Sequence, residues 1–244
     1  MTKNIATFSH WNNKNAFRRN YGTTLPKSYP DETLVRILNS KSYSKLTSKL
    51  FKQRTAKNVC DVGCMSGSNL RLFLDMGFKT FGVDVNKKML DIGKKNLKRL
   101  GYNLSLEKKN LNTPIFKIGN NLEIPFKKNF FDLLISFGTI HYNYDNDIIK
   151  CLEEFKRVTK KNGIIIIETT GNAHDIKKNA KKLKNLKWIC KYKGFRKNQI
   201  FGWFESASHF KRVLSKIFTS VEILENKNLT RYSKLHSLIA ICKV

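Results

Sequence analysis

The chain is short of acidic residues and has no long apolar segment. Its 18 Asp and Glu face 47 Lys and Arg, which leaves a formal charge of +29. No run of about 18 apolar residues occurs, so no segment is predicted to span a bilayer. The N-terminal stretch MTKNIATFSHWNNKN lacks the apolar centre of a secretory signal. These shortages predict a cytoplasmic protein without a membrane span.

Cysteine is scarce and scattered. The five cysteines are Cys60, Cys64, Cys151, Cys190 and Cys242, and no two of them form a CxxC pair. Neither a disulfide framework nor a zinc site has this pattern, so no metal is predicted. Unpaired cysteines are typical of a reducing compartment.

The positive charge is spread unevenly. Residues 1–56 carry 11 Lys and Arg against 2 acids, and residues 172–204 carry 10 against 1. A purely compositional cause would distribute the excess more evenly, so the pattern favours an anionic partner, with RNA among the candidates. The alternative is a solvated basic surface with no partner.

Strands and helices alternate from Lys57 onward, which predicts a parallel sheet with helices on both faces. The last two strands have no helix between them, so they are expected to form an antiparallel edge pair at the C-terminus. The fold class is therefore α/β, a Rossmann-like, doubly wound, mostly parallel sheet. Predicted strands are 58–62, 80–83, 104–108, 131–137, 164–169, 221–224 and 238–242, and predicted helices are 68–76, 86–100, 147–159 and 206–217.

A glycine loop joins the first predicted strand to the first helix in CDVGCMSGSNLRLFLDMGFKTFGVDV, residues 60–85. Glycines let backbone N–H groups approach a ligand, and the helix N-terminus adds a positive field. Asp84 ends the next strand, where a carboxylate can accept hydrogen bonds from a ribose diol. The spacing is G-x-x-x-G, which is neither the dinucleotide fingerprint nor the Walker loop. The pattern predicts a nucleoside derivative as ligand.

VCDVGCMSGSNL resembles the first motif of class I S-adenosylmethionine-dependent methyltransferases, D-x-G-x-G-x-G, with Met65 in place of the middle glycine. FGVDVNKKML is similar to the second motif, and IGNNLEIPFKKNFFDLLIS to the third and fourth. RVTKKNGIIIIET resembles the segment leading into the fifth strand. The resemblance covers residues 57–170. The order of the motifs is similar to that of small-molecule methyltransferases with the type 11 pattern. It implies a methyltransferase domain at 57–244 with a basic insertion at about 172–204.

The resemblance implies S-adenosylmethionine as cofactor, with S-adenosylhomocysteine as product. Asn120 stands where an acid often contacts the adenine amino group, and Asn121 where a backbone amide meets the ring. Met65 lacks the freedom of glycine, so an ordinary negative φ is expected there. The alternative is that the glycines serve only the turn. The implied cofactor residues are Asp61, Gly63, Cys64, Met65, Gly67, Asp84, Val85, Asn120, Asn121 and Phe137.

Catalysis is assigned to the loop SFGTIHYN after the fourth strand. A sulfonium already activates the methyl group, so the enzyme must align an acceptor and, where the acceptor pKa is high, supply a base. His141 and Tyr142 are the catalytic candidates, and His174 after the fifth strand is the second choice of base. The alternative is that His141 only packs the loop.

The acceptor side is assigned to the N-terminal segment and the basic insertion. Residues 1–56 are predicted to form a helical lid, as in similar small-molecule methyltransferases. Lysines 177, 178, 181, 182 and 184 recur at helical spacing, which is typical of a solvated helix face. The candidate substrate residues are Trp11, Arg18, Arg19, Tyr21, His174 and Trp203.

Three functions remain open on the sequence. The first is methyl transfer to an oxygen or nitrogen of a small metabolite, such as an anionic sugar or phosphorylated precursor. The second is RNA methylation through the basic 172–204 stretch, although the Asn/Asp-Pro-Pro-Tyr/Phe signature of amino-directed base methylation is absent. The third is cofactor binding without catalysis. The sequence leaves the oligomeric state open.

Overall fold

A seven-stranded sheet forms the centre of the protein. The computed structural model describes residues 29–39, 44–48, 57–102, 114–191, 196–229 and 234–244, and structural statements concern these residues. The strands of the central sheet are β1 (Asn58–Val62), β2 (Lys79–Asp84), β3 (Ile115–Ile118), β4 (Phe131–Phe137), β5 (Thr159–Thr170), β9 (Ser220–Leu229) and β10 (Lys234–Lys243).

The strand order is β3-β2-β1-β4-β5-β10-β9. The first five strands are parallel, and β10 runs antiparallel to both β5 and β9. The order reverses between β1 and β4, so the loops that follow these two strands open a crevice at the carboxyl edge. This arrangement confirms the predicted doubly wound α/β sheet and its antiparallel C-terminal pair.

Seven helices are described around the two sheets of the molecule. They are α1 (Glu32–Asn39), α2 (Lys45–Ser48), α3 (Ser68–Asp75), α4 (Lys87–Arg99), α5 (Asn146–Val158), α6 (Asp175–Lys178) and α7 (Ala207–Leu214), with a 3₁₀ turn at Ile140–Tyr142. Helix α4 begins as its sequence predicts, because the side chain of Asn86 accepts a hydrogen bond from the Met89 amide.

The central sheet is buried on both faces. Along β5, Ile165 and Ile167 pack with α5 and α7, while Ile164 and Ile166 pack with α1 and α3. A continuous run of isoleucine is what a parallel strand needs when helices cover both of its faces. Helix α1, inside the segment predicted as a lid, contributes Leu34, Ile37 and Leu38 to this core. The four N-terminal substrate candidates, Trp11, Arg18, Arg19 and Tyr21, lie outside the described residues.

A second, three-stranded antiparallel sheet occupies the basic insertion, and the sequence did not predict it. Its strands are β6 (Ala180–Lys184), β7 (Lys187–Cys190) and β8 (Ile200–Gly202), in the order β6-β7-β8. The helix predicted from the spacing of the five lysines is therefore wrong for most of them. Only Lys177 and Lys178 lie on a helix, the single turn α6, while Lys181, Lys182 and Lys184 lie on β6.

Other boundaries differ from expectation at the edges of the sheet. The strand beside β2 is Ile115–Ile118, whereas the predicted strand at 104–108 lies outside the described residues. Strands β9 and β10 are each ten residues long, about twice the predicted length. The second half of β9 carries the polar residues Glu225, Asn226 and Lys227, so an apolar pattern does not mark it as a strand. Hydrogen bonding between β9 and β10 extends both strands instead.

Two searches of the described residues were negative. No helix among them is long and apolar enough to cross a membrane. No three of their His, Cys, Asp and Glu side chains are grouped so that they could hold a metal ion.

Candidate functional site

The loop after β1 folds tightly against the end of β2, and we call residues 61–67 and 84–86 the glycine-loop edge. The amides of Gly63 and Cys64 both donate to the carbonyl of Val83, at 2.7 and 3.1 Å. The amide of Gly67 donates to the carbonyl of Cys64 at 2.7 Å, just before α3 begins. The loop is therefore anchored by its own backbone beside the crevice.

Gly63 and Gly67 are required by both conformation and space. Their φ angles are 78° and 72°, in the left-handed region that side chains disfavour. A Cβ on Gly63 would lie 2.2 Å from Oγ1 of Thr139 in the turn after β4, and one on Gly67 would lie 2.9 Å from the ring of Phe116. The loop is thus packed closely between the turn after β4 and strand β3.

Met65 adopts a left-handed conformation with φ of 48°. The expectation of an ordinary negative φ is therefore wrong. The cause is visible in the hydrogen bonding, because the Met65 amide donates to Oδ2 of Asp84 at 2.8 Å. The peptide turns toward β2 to make this charge-assisted bond, which offsets part of the conformational cost.

Asp84 organises the glycine-loop edge. Its Oδ2 accepts from Met65, and its Oδ1 accepts from the amide of Asn86 at 2.8 Å. The side chain is buried, which raises its pKa, while the hydrogen bonds from the amides of Asn86 and Met65 act in the opposite direction. The amide of Val85 is a third backbone donor to this carboxylate, which has about four acceptor sites, so acceptor capacity remains for a ligand. Its predicted contact with a ribose stays a prediction.

Asp61, at the end of β1, is a second buried carboxylate. Within the described structure its Oδ2 has no hydrogen-bond partner. Burial, followed by the negative charge of Asp84, raises the pKa of Asp61 to about 8, and a hydrogen bond from Asn69 opposes this rise. Such a group is poised to pair with a positive charge brought by a ligand.

Asn69 was missed by the sequence analysis. Besides its bond to Asp61, its Oδ1 accepts from the amide of Asp31 at 2.9 Å, which ties the start of α1 to the glycine-loop edge. Its position in the first turn of α3, directly after the glycine loop, is the sequence feature that could have identified it.

The remaining cofactor candidates border the same edge. Gly119 donates to the carbonyl of Asp84 at 3.1 Å, which brings the loop after β3 against the end of β2. In that loop Oδ1 of Asn120 accepts from the amides of Leu122 and Glu123, so this oxygen is already used within a turn. Their cofactor contacts remain predictions. Cys64 is buried, Asn120 is exposed, and Val85, Asn121 and Phe137 are half-buried.

The turn after β4 holds His141, buried with 5% of its surface exposed. Both ring nitrogens lack a hydrogen-bond partner among the described residues. Burial, together with the positive charges of Arg196 and His174, lowers the pKa of His141 to about 3. His141 is therefore neutral at physiological pH, and its ring lies 4.6 Å from that of Tyr142.

The small sheet packs directly on this turn, and we call residues 138–144 together with β6–β8 the aromatic cover. A Cβ on Gly202 would lie 2.0 Å from the carbonyl oxygen of Asn143, so the two segments touch at the backbone. Phe201 is stacked on Trp203 with ring centroids 4.9 Å apart. The predicted substrate residue Trp203 is fully buried, so it supports the cover from within.

Three further residues of this region have partners that the sequence did not indicate, while the catalytic and substrate roles of His174 stay predictions. His174 caps α6, since its Nδ1 accepts from the amide of Ile176 at 3.2 Å. Lys177 is buried and donates to the Phe204 carbonyl and to Oδ1 of Asn172. Glu168, missed in the sequence, ends β5 and accepts from the amide of Gly138 at 2.8 Å, which fixes the base of the turn.

Known proteins resemble this chain in its central part. Residues 60–167 match a family model described as a methyltransferase domain. A demethylmenaquinone methyltransferase of Bacillus pumilus is 28% identical over 144 residues, which cover 57% of this chain and 56% of that protein. The chain spans about half the length of the curated relatives it matches.

Solved structures share the fold at low sequence identity. An S-adenosylmethionine-dependent methyltransferase of Methanosarcina mazei has a TM-score of 0.59 at 15% identity, covering 80% of this chain and 95% of that chain. A Burkholderia thailandensis 1,6-didemethyltoxoflavin-N1-methyltransferase, solved with S-adenosylhomocysteine, has a TM-score of 0.60 at 11% identity, covering 100% of this chain and 91% of that chain. These two structures show the fold of the chain, and the family model matches a methyltransferase domain at residues 60–167.

Proposed function

We propose that the protein binds S-adenosylmethionine at the glycine-loop edge and transfers its methyl group to an oxygen or nitrogen of a small metabolite. The observation that carries the proposal is the pair of buried carboxylates, Asp61 and Asp84, in a chain of charge +29. Buried acids are costly unless something compensates them. A ligand with hydroxyl donors and positive charge does so.

The available acceptor atoms match that ligand. Asp84 has acceptor sites left for a ribose diol after bonding the amides of Met65 and Asn86. The unpartnered Oδ2 of Asp61 suits the ammonium group of the methionine part. When bound, S-adenosylmethionine supplies a methyl group already activated by its sulfonium. The chain's residues then have to orient the acceptor and exclude water.

The aromatic cover supports a small acceptor. The backbone contact between Gly202 and Asn143 closes the small sheet onto the turn after β4, rather than leaving an open groove between them. Beneath it, the ring nitrogens of His141 have no partner among the described residues, so the neutral imidazole can accept a hydrogen bond from the acceptor, although its lowered pKa makes it a weak base in the empty protein. Tyr142, half-buried beside it, lines the same turn.

RNA is the second candidate acceptor, favoured by the exposed lysines 181, 182 and 184 on β6. Basic strands beside aromatic residues suit single-stranded nucleic acid. A protein that binds the cofactor without catalysis is the third candidate, favoured by Met65 where the family motif has glycine. Both alternatives use the same glycine-loop edge and differ only on the acceptor side.

The test is a transfer assay with methyl-labelled S-adenosylmethionine. Purified protein is incubated separately with a low-molecular-weight filtrate of a cell extract and with total RNA, and His141→Gln serves as the catalytic variant. We expect label in the filtrate, reduced at least about tenfold in the variant, since general bases typically contribute 10²–10⁴-fold. Label only in RNA would establish the second candidate, and binding of S-adenosylhomocysteine without any labelled product would establish the third.

A further inference from the structure

Asn69 lies between the glycine-loop edge and the start of α1 and is bonded to both. Its side-chain amide donates to the buried carboxyl group of Asp61, and its Oδ1 accepts from the amide of Asp31 at 2.9 Å. Asp31 immediately precedes α1 and caps it, because its Oδ1 accepts from the amide of Thr33 at 2.9 Å. One side chain therefore links Asp61 to the first turn of α1.

The direction of the two Asn69 bonds depends on the charge of Asp61. An ionised carboxylate only accepts hydrogen bonds, so the NH₂ group of Asn69 has to face Asp61, which leaves Oδ1 for the amide of Asp31. A protonated Asp61 can also donate, which permits a flipped Asn69 whose NH₂ group would face the Asp31 amide, where two donors form no bond. Pairing of Asp61 with a positive charge therefore favours the arrangement that anchors α1.

The titratable groups around Asp61 make Asn69 important for its charge. Burial, followed by the charge of Asp84 on β2, raises the pKa of Asp61 to about 8, and the hydrogen bond from Asn69 acts in the opposite direction. Cys60 and Cys64 also face Asp61, but burial raises the pKa of both thiols well above the usual value, so they remain uncharged. Asn69 thus supports the ionised form of Asp61, the form that pairs with a positive charge.

We propose that Asn69 is a positioning residue for cofactor binding, which holds Asp61 for the ammonium group of the methionine part and couples this contact to the first turn of α1. The inference rests on the proposed function, because it concerns the cofactor of the same reaction. Coupling of this kind is reciprocal. Opening of the first turn of α1 should weaken cofactor binding by the same factor by which the cofactor suppresses the opening.

The first experiment measures S-adenosylhomocysteine affinity by calorimetry from pH 6 to 9.5 in the parent and in Asn69→Ala. We expect binding about tenfold weaker below pH 8, because a hydrogen bond to a charged group is lost, and a smaller loss above pH 8, where Asp61 ionises without help. The ligand's own titration is common to both proteins and cancels in the ratio. In an Asp61→Asn background, Asn69→Ala should cause no pH-dependent loss.

The second experiment follows hydrogen exchange of the amides at residues 31–35 with and without saturating S-adenosylhomocysteine. We expect the ligand to slow exchange about fivefold or more in the parent and to have no such effect in Asn69→Ala. Asn226→Ala is the matched control, because it removes the bond from Nδ2 of Asn226 to Oγ1 of Thr33 at 2.7 Å, a second anchor of the same turn. This control should keep the parent's affinity, its pH profile and the slowing of exchange by the ligand.

The outcomes separate this inference from the proposed function. No binding of S-adenosylhomocysteine by the parent would end the proposed function. Binding by the parent with a loss in Asn69→Ala that is absent, or equal at every pH, would overturn the positioning role alone, as would an equal loss in Asn226→Ala. Asn69→Leu, which is close to asparagine in size and has neither polar group, should repeat both effects of Asn69→Ala, so the result does not depend on one variant that folds poorly.

Discussion

The glycine-loop edge and the aromatic cover lie side by side at the carboxyl edge of the sheet but differ in the groups that they bury. The first buries the acids Asp61 and Asp84. The second buries the uncharged His141 beside the rings of Tyr142 and Phe201. The contrast fits a cofactor that brings hydroxyl donors and positive charge on one side and a small acceptor on the other.

The comparison also shows that net charge is a poor guide to a site. The excess of 47 bases over 18 acids is a count over the whole chain, and water and salt screen charges that are exposed. Asp84 is 8% exposed, so its carboxylate acts through a medium of much lower dielectric constant. A few buried groups therefore decide which ligand each side prefers.

The largest effect is expected from removing the acid that organises the glycine-loop edge. Asp84→Asn should weaken S-adenosylhomocysteine binding by about 2–3 kcal/mol, roughly 30- to 150-fold, because it replaces the charge-assisted hydrogen bond from the Met65 amide and those that we propose to the ribose. Calorimetric titration measures it. Asp91→Asn on α4, a half-exposed acid outside the edge, is the control. An unchanged affinity in Asp84→Asn would show that the cofactor binds elsewhere.

Asp61 should make the empty protein less stable as pH rises. Its folded pKa of about 8 lies above the ordinary value of 3.8, so between these values the folded state holds a proton that the unfolded chain has lost. Stability contributed by that proton is lost as pH rises toward 8. Melting temperatures from pH 5 to 9 should fall in the parent and fall much less in Asp61→Asn. Identical curves would contradict the buried, protonated state of Asp61.

Met65→Gly should produce a smaller change on the same edge. Glycine removes the cost of a left-handed side-chain-bearing residue, about 1–2 kcal/mol, and adds chain entropy of up to about 1 kcal/mol. The free energy of unfolding should therefore change by no more than about 1 kcal/mol, with cofactor affinity at least equal to the parent's. Met65→Ala, which keeps the strain, is the control. A tenfold loss of affinity in both variants would make the Met65 side chain a direct cofactor contact.

Neutralising the basic strand should have the smallest effect. Lys178, Lys181, Lys182 and Lys184 are exposed and can be changed together to Gln, while Lys177 is kept because it is buried and bonded to backbone. We expect methyl transfer to the metabolite fraction to be unchanged. Binding of a generic RNA is measured against salt concentration in parent and variant. A slope that flattens by roughly 0.7 per lost phosphate contact would instead favour RNA as acceptor.

The fold and the position of the glycine loop were largely predictable because their signals are local. The isoleucine run of β5, the Asn86 cap and the glycines at 63 and 67 each specify their own conformation. One prediction in this region was wrong, that of a negative backbone φ angle at Met65. Its left-handed conformation depends on a hydrogen bond from its amide to Asp84, nineteen residues along the chain.

The acceptor side was less predictable because its order comes from contacts between distant segments. The small sheet forms where Gly202 meets Asn143 and Phe201 stacks on Trp203, and these contacts override the helical spacing of the lysines. Arg196 is one base among ten in the insertion, and only the structure brings it to Tyr142 and Phe201.

The most direct test is a crystal structure with bound S-adenosylhomocysteine. The account predicts the ribose hydroxyls within hydrogen-bond distance of Asp84, the ammonium group beside Asp61, and the sulfur facing His141 beneath a closed aromatic cover. A cofactor placed away from these two carboxylates, or a sulfur facing an open groove lined by the β6 lysines, would contradict it.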